Sequence, residues 1–94
     1  MEPEQALELD WGHQFKKDMK RLKKQGKDLN KLWAIVQLLQ THQPLPERCV
    51  DHALTGKPWR DCHIEGNWVL LYRVEEKENV LRLFRSGSHS ELEL

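Results

Sequence analysis

Two β-rich runs on either side of Gly66-Asn67 constrain the fold of this 94-residue chain more than any other feature. The runs cover residues 59–65 and 68–74. A Gly-Asn pair between such runs is a strong signal for a two-residue hairpin, because the turn requires positive φ. A third β-rich run follows at residues 79–86. The pattern therefore predicts a three-stranded antiparallel meander in the C-terminal half.

The N-terminal half predicts one short strand and two helices. Residues 6–11 alternate between apolar and polar, as a strand does. From about His13 the apolar spacing becomes helical, and Gly26 is expected to end that helix. Asp28 can cap a second helix, which Pro44 would end. The helices carry apolar stripes at Phe15, Met19 and Leu22, and at Leu29, Leu32, Trp33, Val36 and Leu39.

Together these elements predict an α+β fold in one domain spanning residues 1–94. The N-terminal strand, an antiparallel helical hairpin and the meander would form a curved sheet with the helices on one face. A hydrophobic content of 38% supplies one modest core. No apolar run approaches the roughly 20 residues of a membrane span. Residues 1–5 are acidic and lack the apolar segment of a signal peptide, so we expect none. Two cysteines are too few for a disulfide framework, and we therefore expect a cytoplasmic protein.

The balanced total charge conceals a basic segment. Between His13 and Leu32, only Asp18 and Asp28 oppose eight basic residues, which leaves a local charge of +6. Such a segment can attract a polyanion, and it can equally be a solvated helix face. Its members are Lys16, Lys17, Lys20, Arg21, Lys23, Lys24, Lys27 and Lys31.

Alternation along the run 59–65 places Asp61 and His63 on one face of the sheet and Cys62 on the other, toward the core. With a two-residue turn at Gly66-Asn67, Asp61 would lie across from Tyr72. An aspartate, a histidine and a tyrosine would then share the open face. A solvent-exposed polar surface is the competing interpretation.

Further groups with acid–base chemistry flank this face, namely His52 in the loop before it and Arg85 and His89 after the third strand. Cleavage of RNA by internal attack needs a base for the 2′-hydroxyl, an acid for the departing 5′-oxygen and positive charge for the phosphate. The histidines and Arg85 are of these types, and Asp61 could orient one imidazole.

A metal site is the competing use of these residues. Zinc sites typically contain closely spaced pairs such as Cys-x2-Cys or His-x3-His. The chain has no such pair, and Cys62 is predicted to face away from His63. We therefore expect neither a metal nor another cofactor.

Three segments resemble the YafQ-type toxins of the RelE superfamily, which belong to bacterial type II toxin–antitoxin systems. They are Asp-His-Ala-Leu-Thr-Gly at 51–56, the run from Trp to Tyr at 59–72, and Leu-Phe-Arg-Ser-Gly-Ser-His at 83–89. Phe-Lys-Lys-Asp at 15–18 and Lys-Asp-Leu-Asn-Lys-Leu at 27–32 agree as well. The resemblance covers roughly residues 7–92.

This resemblance implies a RelE-like fold and a ribosome-dependent endoribonuclease, an mRNA interferase that cuts translated mRNA in the ribosomal A site without a metal. The family's catalytic histidines fall on His52, His63 and His89, the last resembling the proton donor. Asp61 falls on the family's acidic position, and we add Arg85 as the phosphate-stabilising residue. The basic segment, with Arg60, Asn67 and Trp68, would contact RNA, largely through phosphates.

The resemblance also implies partners, namely a cognate antitoxin, the ribosome and mRNA, with no membrane. The free toxin is expected to be a monomer and the toxin–antitoxin complex a larger assembly. The alternative function is a non-catalytic ParE-like module that poisons a protein target.

The chain departs from the YafQ-type pattern at two places. It has Asn67 where these toxins tend to carry Asp, and Glu91, Leu92 and Glu93 where they carry a C-terminal aromatic residue. That aromatic residue would stack on a base. Trp68 or Tyr72 are the candidates to replace it.

Overall fold

The computed structural model describes residues 5–94 and shows two helices and five strands. Residues 1–4, on which part of the signal-peptide prediction rests, lie outside the described residues. In chain order the elements are β1 (Glu8–Trp11), α1 (His13–Lys24), α2 (Leu29–Gln40), β2 (His52–Ala53), β3 (Arg60–Glu65), β4 (Trp68–Glu75) and β5 (Val80–Ser88), with 3-10 turns at Glu47–Cys49 and Glu76–Glu78.

The strands form one sheet in the order β1-β5-β4-β3-β2. β1 pairs in parallel with β5, and the remaining neighbours are antiparallel. The predicted α+β architecture is therefore confirmed, with its N-terminal strand, helical hairpin and meander. β2 lies in a segment that the sequence predicted as loop, because two residues are too few to show alternation.

The helices lie on one face of the sheet because their apolar stripes are buried there. Phe15 and Leu22 of α1 and Leu32 of α2 join the core with strand residues such as Leu70 and Leu81. The side chain of Asp28 accepts a hydrogen bond from the N–H of Asn30, as predicted for the cap of α2. Neither helix is long and apolar enough to cross a membrane.

The register of the β3–β4 hairpin differs by one residue from the prediction. Arg60 pairs with Tyr72, and Asp61 pairs with Leu71. A bulge between His63 and Glu65 adds one residue to β3 ahead of the turn. Because a one-residue shift exchanges the faces, Tyr72 lies on the core side, away from Asp61.

Within the described residues, the end of β5 has no strand neighbour on one side, because pairing with β1 stops at Trp11 and Leu83. α1 covers this edge with side chains. Asp18 accepts the N–H of Ser86 at 3.1 Å, and Arg21 donates to the carbonyl of Ser86 at 2.7 Å. These contacts satisfy backbone groups that another strand would otherwise pair with.

Candidate functional site

β3 carries Asp61 and His63 on the face opposite the core, as the alternation predicted, while Cys62 and Ile64 pack under the helices. The prediction that this face is open is wrong at Asp61, which is 1% exposed. His63 is half-buried. Burial raises the pKa of the Cys62 thiol, which suits a core residue rather than a nucleophile.

His89 reaches this face from the turn after β5. Its Nε2 lies 3.2 Å from Oδ2 of Asp61, and its ring centre lies 5.2 Å from that of His63. His89, which is distant in sequence, is therefore in contact with the two neighbouring groups of β3. We call Asp61, His63 and His89 the Asp–His–His cluster.

The hydrogen-bond acceptors around the cluster assign the tautomers of its rings. Nδ1 of His63 lies 2.8 Å from the carbonyl oxygen of Gly66, which can only accept, so this nitrogen donates. When His63 is neutral, its Nε2 therefore carries the lone pair. Nε2 of His89 donates to the carboxylate of Asp61, which leaves Nδ1 of His89 for another partner.

The carboxylate of Asp61 is only partly satisfied. Its Oδ2 bonds His89, whereas Oδ1 is buried with no hydrogen-bond partner among residues 5–94. A buried polar atom without a partner costs free energy, so such atoms are uncommon outside functional sites.

His52 stands at the rim of the same face. Its backbone pairs with Asp61 across β2 and β3, and its side chain is exposed. Nδ1 of His52 donates to the carbonyl of Val50 at 2.6 Å, which leaves Nε2 with the lone pair. Val50 has a φ of 46°, a strained conformation for a β-branched residue.

Arg85 lies in the same row of the sheet as Asp61, with Leu71 between them. Its guanidinium, however, is bound to Asp18: Nε at 2.7 Å from Oδ2 and Nη2 at 3.1 Å from Oδ1. This pairing raises the pKa of Arg85. The sequence did not predict it, because the two residues are far apart along the chain.

Two other residues proposed for RNA contact are used within the fold. Arg60 forms an ion pair with Asp51 at 3.2 Å, and the Tyr72 hydroxyl donates to the same carboxylate at 2.5 Å. Trp68 is 2% exposed and donates to the hydroxyl of Ser86. Trp68 and Tyr72 are therefore buried in the core, which contradicts their predicted role in base stacking.

Another aromatic pair lies outside the core cluster. The rings of Trp59 and Phe84 are 4.9 Å apart and half-buried. Trp59 precedes β3 and shares the alternation of Asp61 and His63. The sequence offered no signal for this pair, because its geometry depends on a bulge. Leu71 pairs with Arg85 and Tyr72 pairs with Leu83, so Phe84 is an extra residue of β5 at this point.

Most of the predicted basic segment is exposed. Some of its members have partners within the fold: Arg21 bonds Asp18 and Ser86, and Lys31 forms an ion pair with Glu65. The ammonium of Lys27 lies 5.9 Å from the ring centre of Trp68. Asn67 is exposed and borders a groove beside Lys27. The other exposed members are Lys16, Lys17, Lys20, Lys23 and Lys24.

A groove of about 520 Å³ adjoins His63 on the side of α2. Lys31 and Arg48 supply positive charge to its lining. Arg48 was not selected from the sequence, because a lone arginine in a loop has no distinguishing pattern.

The cluster also has the composition of a metal site. One potential ligand atom from each of Asp61, His63 and His89 lies within 4.8 Å of the others. Imidazole nitrogen and carboxylate oxygen suit zinc or copper. The spacing argument against a metal site overlooked this possibility, because the third ligand, His89, comes from the turn after β5.

Comparison with known proteins agrees with this architecture. Residues 7–94 match the family model described as the bacterial toxin of a type II toxin–antitoxin system, YafQ. The mRNA interferase toxin YafQ of Escherichia coli K12 is 39% identical over 88 residues, covering 90% of this chain and 94% of the relative.

Two crystal structures are also close. A metal-bound toxin from Helicobacter pylori has a TM-score of 0.87 and 43% identity, covering 92% of this chain and 98% of its own. The E. coli DinJ–YafQ toxin–antitoxin complex matches with a TM-score of 0.83 and 38% identity, covering 93% and 97%. The chain therefore belongs to the YafQ family of toxins from bacterial type II toxin–antitoxin systems.

Proposed function

We propose that this toxin is a ribosome-dependent mRNA interferase that cuts translated mRNA in the ribosomal A site by acid–base catalysis. The observation that carries the proposal is the contact of His89 with both Asp61 and His63. The name of the E. coli relative, an mRNA interferase, supports the same activity.

The proposed reaction is an internal transesterification. The 2′-oxygen attacks the adjacent phosphorus while a base takes its proton, and the bond from phosphorus to the 5′-oxygen breaks. An acid supplies a proton to that 5′-oxygen. The products are a 2′,3′-cyclic phosphate, which water can open to a 3′-phosphate, and a free 5′-hydroxyl.

The hydrogen bonds of the rings suggest their roles. We assign His89 as the general acid, because Asp61 holds its Nε2 and leaves Nδ1 to face the leaving oxygen. We assign His63 as the base, because the lone pair on its Nε2 lies on a ring 5.2 Å from that of His89. His52 is the second candidate for the base, since its Nε2 also carries a lone pair.

Positive charge for the phosphate comes from two directions in this proposal. We assign Nη1 of Arg85 to the phosphate, because Nε and Nη2 are bound to Asp18. Arg48 borders the groove next to His63, where the charge of Lys31 is already paired with Glu65. Such groups stabilise the charge that develops in the transition state.

Docking on the ribosome is assigned to α1, whose exposed lysines would contact phosphates of ribosomal RNA. An antitoxin would keep the toxin inactive, as the E. coli DinJ–YafQ complex suggests by homology. We propose a cytoplasmic toxin that is monomeric alone and forms a larger assembly with its antitoxin.

Primer extension on mRNA in a reconstituted translation reaction tests the function. Wild type should produce cleavage only when the message is translated, and His89→Ala should lower the rate about 10²- to 10⁴-fold, the usual contribution of acid catalysis. Toxicity without any cleavage would contradict the proposal and favour the non-catalytic ParE-like alternative. Equal cleavage by His89→Ala would refute the acid assignment.

We propose a second property for the Asp–His–His cluster, namely metal binding, because the similar toxin from Helicobacter pylori is metal-bound. Asp61, His63 and His89 fit a transition metal, with Oδ1 of Asp61, which has no partner in the part of the chain that the structure describes, as the carboxylate ligand. A metal bound there would occupy the nitrogens that transfer protons, so we propose that it inhibits cleavage.

Zinc should lower activity and a chelator should restore it, whereas a chelator alone should leave activity unchanged. Loss of activity on chelation alone would contradict a metal-independent reaction.

A further inference from the structure

The position of His89 depends on a short turn outside the sheet. β5 ends at Ser88, and His89 is the first residue beyond it. Backbone hydrogen bonds close the turn, from Leu92 N–H to the Ser88 carbonyl and from Leu94 N–H to the His89 carbonyl. These bonds fix the backbone conformation within the turn. The orientation of the turn relative to the sheet depends on side-chain contacts.

Glu91 and Ser88 supply reciprocal contacts across His89. Oε1 of Glu91 accepts the N–H of Ser88 at 2.9 Å, and the Ser88 hydroxyl accepts the N–H of Glu91 at 3.0 Å. The same Ser-x-x-Glu exchange begins many α-helices. His89 lies between the two residues and is therefore held from both sides.

The second oxygen of Glu91 ties this turn to α1. Its Oε2 accepts from Gln25 at 2.9 Å and lies 3.1 Å from Nε of Arg21. Arg21 also donates to the carbonyl of Ser86 at 2.7 Å. Gly87 leaves room for this guanidinium, because a Cβ at Gly87 would lie only 2.5 Å from its Nη2.

The electrostatics of Glu91 agree with a fixed carboxylate. Its pKa is lowered to about 2, chiefly by the backbone N–H of Ser88 and then by Gln25, with a contribution from Arg21. Glu91 is therefore ionised at every pH at which a histidine titrates, and it does not compete with His89 for the proton.

We propose that Glu91 is the positioning residue of His89: it joins the turn after β5 to α1 and so holds the imidazole against Asp61. This proposal rests on the proposed function, in which His89 is the general acid. Glu91 itself touches neither the substrate nor the reacting atoms. It occupies the segment where YafQ-type toxins carry a C-terminal aromatic residue.

Steady-state cleavage on translating ribosomes measures the effect on the reaction. Glu91→Ala removes every contact of the carboxylate and should lower kcat at least about tenfold with KM nearly unchanged, as small displacements of a catalytic group do. Glu91→Gln keeps an acceptor for the Ser88 N–H but loses the charge facing Arg21, so its kcat should fall between those of wild type and Glu91→Ala. Glu76→Ala, at an exposed glutamate in the turn before β5, is the matched control and should behave as wild type.

NMR of the free toxin provides a readout that needs no cleavage. The Nε2–H proton of His89 should be protected from exchange by Asp61 in wild type and Glu76→Ala, and lose that protection in Glu91→Ala. Wild-type kcat together with retained protection in a folded Glu91→Ala would overturn the proposal. A wild type that cleaves nothing but shows the NMR difference would refute the proposed function and leave the positioning role intact.

Discussion

Asp18 shows how much one buried carboxylate contributes to this fold. It is 1% exposed and accepts four hydrogen bonds, from Arg21, twice from Arg85, and from the N–H of Ser86. Its negative charge is therefore compensated from three directions, which buried charges require.

Asp18→Asn should lower the free energy of unfolding by about 2–3 kcal/mol, because two arginines lose their common counter-ion. Urea denaturation measures the change. The same substitution at Asp10, whose ion pair with Arg82 is exposed, should cost less than about 1 kcal/mol. Equal effects at both sites would contradict the importance of burial at Asp18.

The lowered pKa of Glu91 predicts that the stability of the folded protein depends on pH. Its pKa falls from an ordinary 4.5 to about 2 in the folded protein, so its stabilising effect is complete above pH 4.5. That effect is lost as the pH falls through about 2. The urea midpoints of wild type and Glu91→Gln should therefore differ at pH 7 and converge between pH 4.5 and 2. A difference that persists unchanged at pH 2 would contradict this assignment.

At the scale of elements, α1 has two distinct faces. Phe15 and Leu22 face the core, whereas Lys17, Lys20 and Lys24 share the opposite side at helical spacing. This arrangement allows the helix to stabilise the fold and present charge at the same time.

Replacing Lys17, Lys20 and Lys24 together with alanine should weaken ribosome binding. Each lost phosphate contact reduces the slope of log affinity against log salt by about 0.7–0.9, so the triple variant should lose roughly 2 from the slope. Titration of labelled toxin onto ribosomes over a range of KCl concentrations measures it. The control is the double variant Lys57→Ala with Lys77→Ala, at two lysines outside this helix. An equal reduction of the salt slope in this control would contradict the assignment of ribosome docking to α1.

Local patterns predicted the elements well and their pairing less well. The alternation of β3 and the turn at Gly66 follow from local backbone preferences, and Gly66 indeed has a φ of 56°. The bulge after His63 depends on packing around the hairpin, which the sequence does not show. For that reason Asp61 and His63 were placed on one face correctly, whereas Tyr72 was placed there wrongly.

At the scale of the whole molecule, the site depends on contacts between distant segments. The residue pattern placed His89 beside the face of Asp61 and left one imidazole for Asp61 to orient, but the spacing could not show which histidine meets it. The pairing of Asp18 with Arg85 had no local sign at all. The exchange between Ser88 and Glu91 was not predicted either, although Ser-x-x-Glu is a pattern typical of helix N-termini.

Burial of both cysteines offers a test of the whole fold. Cys49 and Cys62 are free and buried, and burial raises the pKa of each thiol. Because the thiolate is the reactive species, a thiol reagent at pH 8 should modify them only as fast as the protein opens. Rates that rise with urea in parallel with unfolding are expected. Rapid modification of the native protein would contradict the described core.

The central claim is that His89 donates a proton to the leaving 5′-oxygen while a second histidine acts as base. Single-turnover cleavage of a translated mRNA with sulfur in place of that bridging oxygen tests it directly, because a thiolate departs without a proton. His89→Ala should cut this substrate within a few-fold of the wild-type rate, whereas His63→Ala should remain slow. If the sulfur substitution fails to rescue His89→Ala, or rescues His63→Ala instead, the assigned roles are contradicted.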